Sequence, residues 1–226
     1  MDFLVVLVFA AAGAFALRNP LKKAPVAFYA LAVAVSVLFI ATGYFPMPRA
    51  LWSTLFLLVQ KCMLALALFA VVMFIGVFSR DSRVGRWLRP VRAELSIIAW
   101  ILSLGHMAVY LLSYLPRLGA LKDTVLVAFV VALVLFALLL VLGVTSFNAV
   151  KKRMKKESWK RVQSLAYVFF GLVYVHLMLM LLPSAVQGGA AAQVSVAVYS
   201  VLFVAYAVLR VRRALVDRAA VSRPQG

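Results

Sequence analysis

Apolar residues along this chain gather in long uninterrupted blocks, and polar residues fall in short stretches between them. Seven blocks stand out, at roughly 3–17, 26–45, 55–79, 95–115, 125–147, 162–182 and 193–211. Most approach the ~20 residues with which a helix crosses ~30 Å of hydrocarbon, and they are too long for barrel strands. The separators, such as RNPLKKAP, PMPRA and PSAVQGGAAA, carry proline, glycine or charge and so punctuate the helices. Lipid leaves backbone groups no partner outside the chain, so a spanning segment has to be helical or part of a closed barrel. The pattern predicts an all-α, polytopic membrane helical bundle of about seven transmembrane helices. It divides into an N-terminal helix with its basic loop (1–25), a helical core (26–213) and a basic tail (214–226).

Composition strengthens this picture. Hydrophobic residues make up 66% of the chain and the mean hydropathy is +1.07, well above the roughly half-apolar make-up of soluble domains. A net charge of +18 would elsewhere point to nucleic acid, but here the basic residues sit in short loops between spans, which excludes that partner. Twenty Lys and Arg fall on one side of the predicted bundle, in the loops after the first, third and fifth helices and in the tail. The other side holds three, Arg49, Arg117 and Lys122. The positive-inside rule then puts the N-terminus outside and the C-terminus in the cytoplasm of a multi-pass cell (inner) membrane protein, with lipid as its first partner. In MDFLVVLVFAAAGAFALRNPLKK the charge follows the apolar stretch, so it reads as a retained helix and not as a signal peptide.

Chemistry is sparse. A single cysteine, Cys62, excludes an internal disulfide and a cysteine-ligated iron–sulfur cluster. The two histidines are His106 and His176, each deep in an apolar block. At 1.5 Å per residue they lie ~18 and ~21 Å above the cytoplasmic ends of their helices, and so at nearly one depth in the outer half of the membrane. Polar groups at that depth normally face the bundle and have partners. The absence of Asp and Glu from the spans weakens a proton relay, and two histidines are too few for zinc. Two neutral imidazoles on different helices suit the axial positions of a haem iron that carries electrons. Each histidine hydrogen-bonding a neighbouring helix is the plain alternative, and a metal or proton path is a third. No carboxylate is at hand to orient the rings, so backbone carbonyls or Ser and Tyr hydroxyls must do so.

Three pieces of sequence carry a resemblance. RAELSIIAWILSLGHMAVYLLSYL contains Arg92, Leu95 and His106; TSFNAVKKRMKKESWKR runs from Thr145 through Asn148 to a basic loop and Trp159; His176 closes WKRVQSLAYVFFGLVYVH. In order and spacing they resemble the ferric-reductase-like transmembrane domain, and within it the haem-binding membrane subunit of the bacterial protein-methionine-sulfoxide reductase system. The resemblance implies a six-helix haem-binding core, with the first helix as an addition. It also implies a histidine thirteen residues before His176, where this chain has Gln163. A glutamine amide is not a usual haem ligand. One b-type haem on the outer side, held by His106 and His176, is therefore expected, with Lys61, Arg117, Arg49 and Lys122 as candidate countercharges for its propionates. Lys61 has a second use, snorkelling to the interface.

The function so implied is a membrane cytochrome b, an electron-transfer component of an oxidoreductase. It would take electrons from a cytoplasmic flavin reductase or from quinol and pass them to an extracytoplasmic reductase or ferric iron. No GxGxxG follows a strand, so no FAD or NAD domain is expected within the sequence. The rival is a non-haem transporter or assembly subunit on a degenerate version of the fold.

Overall fold

The computed structural model describes residues 2–79, 81–120 and 123–221. Among these the chain is helical throughout and forms no strand. Eight helices make the bundle: α1 (Asp2–Ala16), α2 (Pro25–Ala41), α3 (Arg49–Gln60), α4 (Met63–Ile75), α5 (Arg92–Tyr114), α6 (Asp123–Val144), α7 (Lys156–Val186) and α8 (Ala190–Val221). Helices α5 to α8 are each long and apolar enough to cross a membrane, and α3 with α4 meets the same criterion as a pair bent by 44°. Helices α1 and α2 are shorter apolar helices of 15 and 17 residues. The chain is a polytopic helical membrane protein.

The third apolar block, expected as one helix, is broken. Its first half begins at Arg49, widens into a π-helical turn at Phe56–Gln60, and ends at Lys61 and Cys62. Cys62 takes the left-handed conformation (φ 55°, ψ 20°), and α4 leaves at 44° to α3. The long last two helices extend past their apolar cores, α7 toward Lys156 and α8 toward Val221. A tight turn joins them, in which Gly188 has φ +87° and Gly189 N–H donates to Ser184 O (3.0 Å). Gly188 has no Cβ to strain at that angle, so the chain reverses there.

Helix α4 is apolar on every face and sits at the centre, with Ala65, Ala67 and Ala70 fully buried. It packs on α1 and α5; α2 lies on the far side of α5, while α6, α7 and α8 form a second layer in which α7 contacts both neighbours. An aromatic cluster joins the layers: Phe170 meets Phe203 (4.4 Å) and Tyr206 (5.0 Å), and Tyr206 meets Phe74 of α4 (5.5 Å). Helix α1, which sequence treats as an addition, enters the same core. Phe3 lies 4.7 Å from Tyr199, and Arg18 stacks on Trp87 at 4.4 Å. Trp87 Nε1 in turn donates to Phe15 O (3.1 Å).

Candidate functional site

His106 lies on α5, one residue after Gly105, where α5 crosses α2 over Ser36. Its Nδ1 is 2.6 Å from the main-chain oxygen of Gln60, the last residue before the break in the third span. His176 lies on α7, with Nδ1 3.1 Å from the main-chain oxygen of Ala128 on α6. A carbonyl oxygen only accepts, so in both rings Nδ1 carries the hydrogen, and in a neutral imidazole Nε2 is left with the lone pair. An axial haem ligand needs this arrangement, with one nitrogen anchored as N–H and the other available to iron.

Helix α5, which carries His106, packs chiefly on α2 and α4, and α7, which carries His176, packs on α6 and α8. A run of rings continues from His106 to Tyr110 (4.8 Å), from Tyr110 to Tyr114 (5.5 Å), and from Tyr114 to Phe129 (5.9 Å). Phe129 follows Ala128, the residue that anchors His176, so the two histidines are tied into one cross-helix assembly. The donor set at the pair suits a porphyrin iron. Among the described residues, no three His, Cys, Asp or Glu converge as a metal-binding group.

Lys61 follows Gln60, the anchor of His106, in the break; it is exposed, with Nζ 5.5 Å above the Phe56 ring. Arg117 is exposed beyond the end of α5 and folds back on its own helix, donating to Ser113 O (3.0 Å) and Ser113 Oγ (2.7 Å). Arg49 is the first residue of α3. Lys122 lies outside the described residues.

Gln163 stands apart from the histidines. Its Nε2 donates to Thr145 Oγ1 (2.9 Å) at the end of α6, and Trp159 Nε1 donates to Thr145 O (3.0 Å). It also lines a partly open cavity of about 390 Å³ between α4, α5, α6 and α7, toward the basic end of the bundle. Sequence reasoning missed both this cavity and the break at Lys61–Cys62. The polar pair Gln60–Lys61 inside an apolar block was the one available signal for the break.

The family model for the ferric reductase like transmembrane component matches residues 61–174, half of the chain. An uncharacterized protein of Treponema pallidum (strain Nichols) is 46% identical over 156 residues, which cover 67% of this chain and 43% of that protein. The chain thus spans less than half the length of this curated relative. No solved structure matches. The matched region opens at the break in the third span and runs through His106 to within two residues of His176, and on that match the chain belongs to the family of ferric reductase like transmembrane components.

Proposed function

We propose that this chain is a membrane b-type cytochrome that moves electrons between the two faces of the bilayer through one haem bound by His106 and His176. The observation that carries the reading is the matched anchoring of the two rings. Each gives its Nδ1 hydrogen to a main-chain carbonyl of a different helix, 2.6 and 3.1 Å away, which leaves both Nε2 atoms as donors to a metal. Main-chain anchors are stiff, so the rings are held before any ligand arrives. Bound there, the haem would supply one-electron chemistry with no open coordination position. Lys61, beside the anchor of His106, is the cation best placed for a propionate, with Arg117 the second candidate.

In this reading electrons come from a cytoplasmic flavin reductase or from quinol. They leave to an extracytoplasmic reductase subunit or to ferric iron. The basic loops face the cytoplasm of the inner cell membrane, as the charge asymmetry requires. Gln163 stands where an inner ligand would be and is engaged by Thr145, which supports a single haem.

Protein expressed with ample haem and purified in detergent tests this. The expected reduced-minus-oxidised spectrum is that of a low-spin b-type haem near one per chain. His106→Ala and His176→Ala each abolish it, and Gln163→Ala leaves it. A folded, colourless preparation would overturn the proposal in favour of a non-haem subunit on the same fold.

A further inference from the structure

The cavity of about 390 Å³ beside Gln163 is built for something other than a haem, since no histidine lines it. Four cations do, Arg89, Arg92, Lys151 and Lys160, and no carboxylate. The ion pair formed among the described residues, Arg213–Asp217, is elsewhere, on α8. Two donors lining the cavity, Trp100 Nε1 and Arg89 Nε, are buried without a hydrogen-bond partner. A buried donor left unmade costs ~1–3 kcal/mol, so an occupant rich in acceptors is called for. Charge and donors together specify an anion, and a volume within the ~300–1,000 Å³ of small-molecule sites admits one.

The lining also has a direction. Along α5 it passes from Arg92 to Trp100, along α7 from Lys160 to Phe169, and approaching α6 from the opposite end of that helix, from Lys151 to Leu139. On each helix the charge lies at the loop end and the apolar surface toward the middle of the span. A soluble anion has no use for that gradient. An amphiphile standing in the leaflet matches it, and basic pockets between transmembrane helices on the cytoplasmic side are suited to anionic headgroups.

We propose that this cavity binds the phosphate-bearing headgroup of an anionic phospholipid, with the phosphate among Arg89, Arg92, Lys151 and Lys160, an ester carbonyl at the Trp100 indole N–H, and the start of the acyl chains along Phe169. The site shares only the inward orientation of the basic loops with the haem reading and can fail without it.

Native mass spectrometry of the detergent-solubilised protein tests it, with phosphatidylglycerol and phosphatidylcholine of equal chain length as probes. Phosphatidylglycerol should be retained in preference. Lys160→Gln, at an exposed position, should weaken retention roughly fivefold, and Arg92→Gln with Lys160→Gln about 25-fold, at ~1 kcal/mol for each cation near the headgroup. Trp100→Phe, which keeps a ring and removes the N–H, should weaken it further. Lys22→Gln with Lys23→Gln, on the same predicted side of the membrane but outside the cavity, should leave retention unchanged. Equal retention of the two lipids, equal loss in the Lys22/Lys23 variant, or displacement of phosphatidylglycerol by inorganic phosphate alone would each overturn the proposal. Melting temperatures of the variants identify any loss due to misfolding, and Lys160→Gln alone then decides.

Discussion

His106 Nδ1 lies 2.6 Å from the main-chain oxygen of Gln60, and Gln60 ends the first half of a broken span. The last carbonyls of a helix lack intrahelical donors, so the break makes available the acceptor that the imidazole uses. The break depends on Cys62 in the left-handed region, where an L-residue pays ~1–2 kcal/mol.

Cys62→Gly should therefore keep the break and melt no lower than the parent, since glycine takes φ 55° without strain and the Cys62 Sγ–Ser103 Oγ contact it loses is long, at 4.0 Å. Cys62→Val should lose ~1–3 kcal/mol, because a β-branched residue is a true outlier there. It should also release the proposed haem more readily as α3 and α4 straighten and draw the Gln60 carbonyl away. Thermal melts followed by haem absorbance report both effects. Equal behaviour of the valine variant and the parent would show that Cys62 does not hold the break.

Gly105 sets the distance between α5 and α2. A Cβ at that position would lie 2.6 Å from Ser36 Oγ and 2.7 Å from Ser36 Cβ, too close for atoms on two packed helices. Gly105→Ala should push α2 away, tilt the neighbouring His106, and cost ~1–3 kcal/mol, the usual range for overpacking. Adding Ser36→Gly removes both contacts and should restore most of the melting temperature and the haem content. Failure of that rescue would place the damage elsewhere.

Gly143 does the same for α6 against α5, because a Cβ there would overlap the indole of Trp100. Gly143→Ala should destabilise the wild-type background and do far less beside Trp100→Leu. The coupling from the double-mutant cycle should fall within ~0.5–3 kcal/mol, as for residues in contact. A coupling near zero would mean that the indole moves aside at no cost.

The apolar helices were legible because their length and charged separators leave few alternatives, and His106 and His176 stood out in the sequence as the only imidazoles. What orients them was legible only as a class. The partners of Nδ1 are main-chain oxygens of Gln60 and Ala128, and a carbonyl looks alike at every position of the sequence. The break escaped notice because LLVQKCMLALAL holds neither proline nor glycine; its cause is a backbone angle at Cys62. The cavity escaped for a different reason. Arg89, Arg92, Lys151 and Lys160 belong to two loops that read as topology signals, and only the packing of α5 against α6 and α7 brings them to one place.

Gln163 offers the last test, since it occupies a position where a histidine is expected from the resemblance. Its Nε2 bond to Thr145 Oγ1 joins α7 to α6, and side-chain bonds between transmembrane helices average ~0.6 kcal/mol with a ceiling near ~1.7. Gln163→Leu and Thr145→Val should each cost about that much, and the double variant little more than either single one. Gln163→His restores the thirteen-residue spacing to His176 but not a second ligand: on α5 the position thirteen before His106 is Ala93, which also lines the cavity. One imidazole among cations cannot hold a second bis-histidine haem, so pyridine-haemochrome assay of Gln163→His should still give one haem per chain. Two haems per chain in that variant would mean that another group of the cavity can serve as a ligand, and that the inner site was lost through Gln163 alone.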